Sequence, residues 1–149
     1  MKYTVVSQPA KSMPPPWVGV DLDGTLANYT EFKGWDQIGE PVPAMVSFVK
    51  KLLAMGITVK VLTARASVES RTLNNLTFEQ VEKVIQDWTE KHIGARLPVV
   101  TEKGCAMICL FDDSAIQVEK NTGNVVGGTS ALAPFAEKII EAYRKHSER

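Results

Sequence analysis

A chain of 149 residues with seventeen basic and seventeen acidic side chains carries no net charge at pH 7. Like charges never gather into a long block, so nucleic acid and anionic membrane surfaces are unsupported as partners. With 44% hydrophobic and 23% charged residues, the composition is that of an ordinary folded domain and excludes collagen-like, disordered and membrane-spanning classes. The length suits one core, so one site is expected, and a cytoplasmic location with no membrane contact.

Residues 1 to 16 read as a polar, flexible arm that ends in Pro14, Pro15 and Pro16, which lack amide donors and favour extended backbone; Tyr3, Val5 and Val6 remain candidates for an edge strand. One domain is expected over residues 17–149. The continuous apolar run from Trp17 to Leu22 predicts a strand buried on both faces. In residues 42 to 55, Met45, Phe48, Val49, Leu52 and Leu53 fall at helical spacing, with Gly56 as the stop. The β-branched run "ITVKVLTAR" predicts a second strand that ends at Thr63. A strand, a helix and a strand in this order form a right-handed crossover, which brings Asp21 and Thr63 to the same sheet edge.

Residues 78 to 92 predict a helix with Val81, Val84, Ile85 and Trp88 on one face, Thr77 as its cap and Gly94 at its end. "RLPVVT" and "AMICLFDD" read as the third and fourth strands, and "EKNTGN" as a turn through Asn121 and Gly123. A last helix places Leu132, Phe135, Ile139, Ile140 and Tyr143 on one stripe behind a Thr129 or Ser130 cap. Cys105 and Cys109 are too few for a disulfide framework and lack zinc-ligand companions, so they are expected to be buried free thiols. Alternating strands and helices predict a three-layer α/β/α sandwich with a mostly parallel sheet, whose ligands sit beyond the carboxyl ends of the strands.

Asp21, Asp23, Asp112 and Asp113 all fall at those ends. Four carboxylates together repel and raise one another's pKa unless a cation shares their charge, and a hard divalent ion such as Mg²⁺ fits oxygen ligands best. An EF-hand is rejected, because Leu26 and Phe32 stand where its loop needs glycine and glutamate. The spacing of Asp21 and Asp23 allows one carboxylate to attack a phosphoryl group while the other handles a proton.

These residues resemble the haloacid dehalogenase-like phosphohydrolase superfamily. Its first motif corresponds to "DLDGTLA", its second to Thr63 in "VLTAR", its third to Lys103 in "TEKG", and its fourth to Asp112 and Asp113 in "FDDSA". The resemblance implies a Rossmann-like sheet, a phosphorylated substrate and Mg²⁺ held by Asp21, Asp23, Asp112 and Asp113, with Asp23 contributing its backbone carbonyl. It implies Asp21 as nucleophile, Asp23 as general acid and then base, and Thr63 and Lys103 as contacts to the phosphoryl oxygens; Ala64 and Arg65 are further candidates for substrate binding, Arg65 standing equally for a contact to phosphate or leaving group and for a surface salt bridge.

Between the first motif and the first helix lies "ANYTEFKGWDQIGEPVP", which the resemblance implies is a flap over the site, its Tyr29, Phe32 and Trp35 either gripping a flat leaving group or packing on the body. Neither this segment nor residues 64 to 77 is long enough for a separate cap domain. The expected enzyme is therefore a small capless phosphatase with an open site, as in members that take macromolecular substrates or borrow a lid from a neighbouring subunit of a homo-oligomer; a small metabolite or nucleotide is preferred as substrate to a phosphoprotein or nucleic-acid end. The alternatives are a phosphate- or metal-binding module without turnover, and a phosphotransferase to an acceptor other than water.

Overall fold

The run Trp17–Val20 forms β1 with all four residues buried, the outcome expected of a strand with no polar face. The computed structural model describes residues 12–127 and 133–147, and these divide into one unit that ends at Asp113 and another that begins at Ser114. Residues 1 to 11, with Tyr3, Val5 and Val6, lie outside the described residues; Ser12 to Pro16 are exposed and belong to neither helix nor strand.

In the first unit β1 is followed by α1 (Pro43–Ala54), β2 (Val59–Leu62), a 3₁₀ turn (Ala64–Ala66), α2 (Val68–Asn74), α3 (Phe78–Ile93), β3 (Val99–Val100) and β4 (Met107–Phe111). The sheet order is β3-β2-β1-β4, and every pairing is parallel. The chain runs outward from β1 to β3, then crosses back to lay β4 on the other side of β1. The order of connection therefore reverses between β1 and β4, which opens a crevice beyond their carboxyl ends.

Local chemistry explains the helices. Pro43 opens α1, where its missing N–H is no loss. Thr77 caps α3 in a reciprocal capping box with Gln80, and Gly94 closes it with φ of 91°. Helix α2 was not foreseen, because its seven residues carry no buried side chain and hence no apolar period; Ser67 caps it through the Ser70 amide at 3.1 Å.

Register pairs Val18 with Val59 and Val20 with Val61, and Val61 with Val99, which turns these valines to one face. Helices α1 and α3 cover that face with Val46, Val49, Val81, Ile85 and Trp88. Ile85 is 0% exposed, so Ile85→Ala is expected to destabilise the fold by about 2–5 kcal/mol in chemical denaturation.

Helical cover is richest over β2 and β3. At β4 it is represented by Phe48 of α1, whose ring meets Phe111 at 5.2 Å. Cys105 and Cys109 are free but exposed, which corrects the expectation of burial: Cys109 belongs to this thinly covered outer strand, and Cys105 to the connection before it. The first unit is thus α/β, a four-stranded parallel sheet with helices α1, α2 and α3, an arrangement compatible with a Rossmann-like sandwich; α4 (Ala133–Ser147) belongs to the second unit.

In that unit Val118 and Val125 form an antiparallel bridge around a turn in which Asn121 and Gly123 take φ of 66° and 78°, as their residue types predict. Ile139, Ile140 and Tyr143 of α4 are exposed; Leu132, Thr129, Ser130 and the Phe135 side chain lie outside the described residues. Among the described residues no helix is long and apolar enough to cross a membrane.

Candidate functional site

Beyond Val20 the strand ladder continues for one more bond, from the Asp21 amide to the Phe111 carbonyl at 2.8 Å. Since Val20 is paired with Phe111, Asp21 and Asp112 come level at the mouth of the crevice. Asp21, Asp112 and Asp113 each offer an oxygen within 4.8 Å of the others, a spacing that suits oxygen ligands around one hard cation.

The turn after Asp21 is wound tightly. The amides of Leu26 and Ala27 both donate to the Leu22 carbonyl, at 3.0 and 2.9 Å, and Leu22 and Leu26 are fully buried as its anchors. Within it the Thr25 hydroxyl donates to Asp113 Oδ1 at 3.2 Å and accepts from the Asp113 amide at 3.1 Å. This reciprocal pair locks the chain at Asp113 onto the turn that follows Asp21. Thr25 was not among the expected site residues, because its role depends on a partner 88 positions away.

Gly24 has φ of +91°, and a Cβ there would stand 2.5 Å from Asp113 Oδ2. Both the backbone region and the space exclude a side chain. Gly24→Ala is expected to lower stability by about 1–3 kcal/mol and to push Asp113 off the triad, so that a thermal melt and a metal titration both register the change.

Burial pushes the Asp21 carboxyl from its ordinary 3.8 up to about 7. The hydrogen bond between Asp21 and Asp113 adds to this, followed by the charge of Asp112. Below about pH 7 Asp21 thus keeps its proton, and a cation that enters must displace it.

Asp23 stands apart from this group. Its two oxygens accept from Arg65, Nε–H to Oδ2 at 2.9 Å and Nη2–H to Oδ1 at 2.7 Å. Arg65, a candidate for substrate binding or a surface salt bridge, is instead buried with 7% exposure. Its remaining donors go to the carbonyls of Gly34 and Trp35, both at 2.9 Å, and of Gln37 at 3.2 Å. With five N–H groups and five acceptors, the guanidinium has no donor left for a substrate in this conformation. Its single positive charge on a surface ion pair would look the same in sequence; only the tertiary structure shows the burial.

Thr63 is 2% exposed and follows β2, its amide donating to Val100 at 3.1 Å. Its hydroxyl accepts the Arg65 amide at 3.1 Å and so starts the 3₁₀ turn of Ala64, Arg65 and Ala66. Its position beyond β2 is on the expected edge, and its bonded role is that of a cap. Lys103 is exposed, three residues past β3, in the connection to β4. The next residue, Gly104, already packs on the indole of Trp17, the first residue of β1, so the connection leaves the carboxyl edge there.

The flap runs as irregular chain. Trp35 and Ile38 pack against the core, while Tyr29 and Phe32 are about half exposed. The segment itself, together with Asp23, lines a cavity of about 270 Å³, with Tyr29, Glu31, Lys33, Gln37 and Glu40 among its walls. Asp23 thus faces the flap cavity, and the three-carboxylate group faces the sheet crevice.

Comparison with protein-family models, with curated proteins and with solved structures finds no match for this chain.

Proposed function

We propose that the chain is a Mg²⁺-dependent phosphohydrolase of haloacid dehalogenase-like fold, which forms an aspartyl-phosphate on Asp21. The observation that carries this reading is the convergence of Asp21, Asp112 and Asp113 at the point where the sheet order reverses. These residues suit Mg²⁺ because all three ligands are oxygens and few enough to leave room for water. Bound there, Mg²⁺ would neutralise phosphoryl oxygen charge and favour the ionised form of Asp21.

The chain's own residues would do the rest. Asp21 attacks phosphorus, the bond to the leaving oxygen breaks, and Asp23 supplies that oxygen's proton; water then attacks phosphorus and gives a proton to Asp23, while the bond from phosphorus to Asp21 breaks, which releases phosphate and restores the carboxylate. Thr63 and Ala64 are proposed to meet the phosphoryl oxygens and the flap cavity to receive the leaving group; Lys103 does not join this set, because Gly104 beside it already lies against Trp17 at the start of β1. For this, Asp23 must free an oxygen that now accepts from Arg65.

That same ion pair favours a second reading, a phosphate- or metal-binding module without turnover, in which Asp23 is a structural anchor. Transfer to an acceptor other than water is a variant of the first reading. A panel of phosphorylated metabolites with Mg²⁺ tests both, with wild type set against Asp21→Asn. Metal-dependent release that is lost in Asp21→Asn supports hydrolysis. Phosphate bound but never released by either form supports the binding module.

A further inference from the structure

The five bonds of Arg65 reach two separate pieces of chain, the Asp23 turn and the flap, from a third, the 3₁₀ turn after β2. The fork is planar and rigid, so its bidentate grip on Asp23 fixes the direction of the three donors left for Gly34, Trp35 and Gln37. The ring of Phe32 stands 5.8 Å from the guanidinium carbon and adds a fourth flap contact. The base of the latch is itself held, since Thr63 caps the turn that carries Arg65, and the side chain is 4% exposed.

We infer that Arg65 is a positioning residue that seats the flap and orients Asp23 through one rigid guanidinium, so that loss of the flap bonds frees the fork to turn and weakens its hold on the Asp23 carboxylate. Closed and latched, Asp23 accepts two bonds from Arg65. Once the flap lifts, those bonds loosen and an Asp23 oxygen becomes available. The catalytic consequence rests on the phosphohydrolase reading; the seating of the flap does not.

Amide hydrogen exchange on the full chain tests the latch directly in wild type, Arg65→Lys and Arg65→Met. The Gln37 amide, bonded to Gly34 at 3.1 Å, and the Asn28 amide, bonded to Glu40 at 2.8 Å, report the flap; the Val61 amide, bonded to Pro98 at 2.8 Å, reports the core. Exchange at Gln37 is expected to rise about tenfold or more in both variants while Val61 keeps its protection. Should Arg65→Met fail to fold, Arg65→Lys decides alone, because a lysine keeps the charge but lacks the fork. Unchanged flap exchange in a folded variant overturns the inference.

Kinetics supply the second readout. Arg65→Lys is expected to lower kcat about 10- to 100-fold on an alkyl phosphate, whose leaving oxygen needs a proton, and only a few-fold on p-nitrophenyl phosphate, with KM little changed. Equal losses on both substrates would assign Arg65 to general structure and overturn the link to Asp23. If wild type shows no Mg²⁺-dependent turnover of either compound, the phosphohydrolase reading fails, and the exchange result still decides whether Arg65 seats the flap.

Discussion

Asp21→Asn is expected to lower Mg²⁺-dependent phosphate release by roughly 10⁴-fold or more, the order seen when an enzyme loses its nucleophile. The amide is nearly isosteric, so the turn through Leu22 and Leu26 and the ladder bond to Phe111 should survive. Its effect on stability should have the opposite sign. Above pH 7 the native chain holds a half-buried ionised Asp21 beside Asp112 and Asp113, and a neutral amide relieves that repulsion while still donating to Asp113. Metal-free Asp21→Asn should therefore melt above wild type at pH 8 and close to it at pH 5. Loss of activity joined to a gain in stability marks a residue kept for chemistry. Activity that survives the substitution removes Asp21 as nucleophile, and a variant that melts below wild type at both pH values contradicts the electrostatic argument.

The affinity of the site for Mg²⁺ or Mn²⁺ should fall about tenfold for each pH unit below 7, because one proton must leave Asp21 as the cation enters. The sign follows from the raised value of about 7. Below it the folded chain binds a proton that the unfolded chain, with its ordinary value of 3.8, has already lost over most of this range. Metal-free stability is consequently greatest in acid and declines as pH rises through 7, whereas bound cation reverses the decline at the upper end. Calorimetric titration between pH 5.5 and 8, in buffers of different ionisation enthalpy, should show close to one proton released per metal at the acid end and almost none at pH 8. A pH-independent affinity would contradict the proton on Asp21 and would locate the metal elsewhere.

Much of this site could be read from local pattern, and the reasons are specific. Trp17 to Val20 had to be a doubly covered strand because no polar residue breaks the run, and Thr77 with Gln80 and Gly94 spelled out both ends of α3. A crossover between parallel strands then carried Asp21 and Thr63 to one edge, and the second apolar run ending in two aspartates joined them. The turn at Asn121 and Gly123 was equally legible, since both residue types tolerate positive φ.

Other features had no such signature. Thr25 and Asp113 are 88 positions apart, and nothing in either neighbourhood announces the bond. Arg65 reads as an exposed cation near a substrate; its burial against Asp23 and three flap carbonyls depends on where residues 34 to 37 travel. Cys109 reads as core in an apolar strand, yet β4 is the outer strand of the sheet order and so keeps an exposed face. Hydrophobic period and cap chemistry act within a few residues, so they determined the elements and the edge on which the carboxylates gather. Strand order, the direction of side chains and the separation of Asp23, paired with Arg65, from the Asp21, Asp112 and Asp113 group arise from contacts between distant segments, and those were decided only when the chain closed on itself.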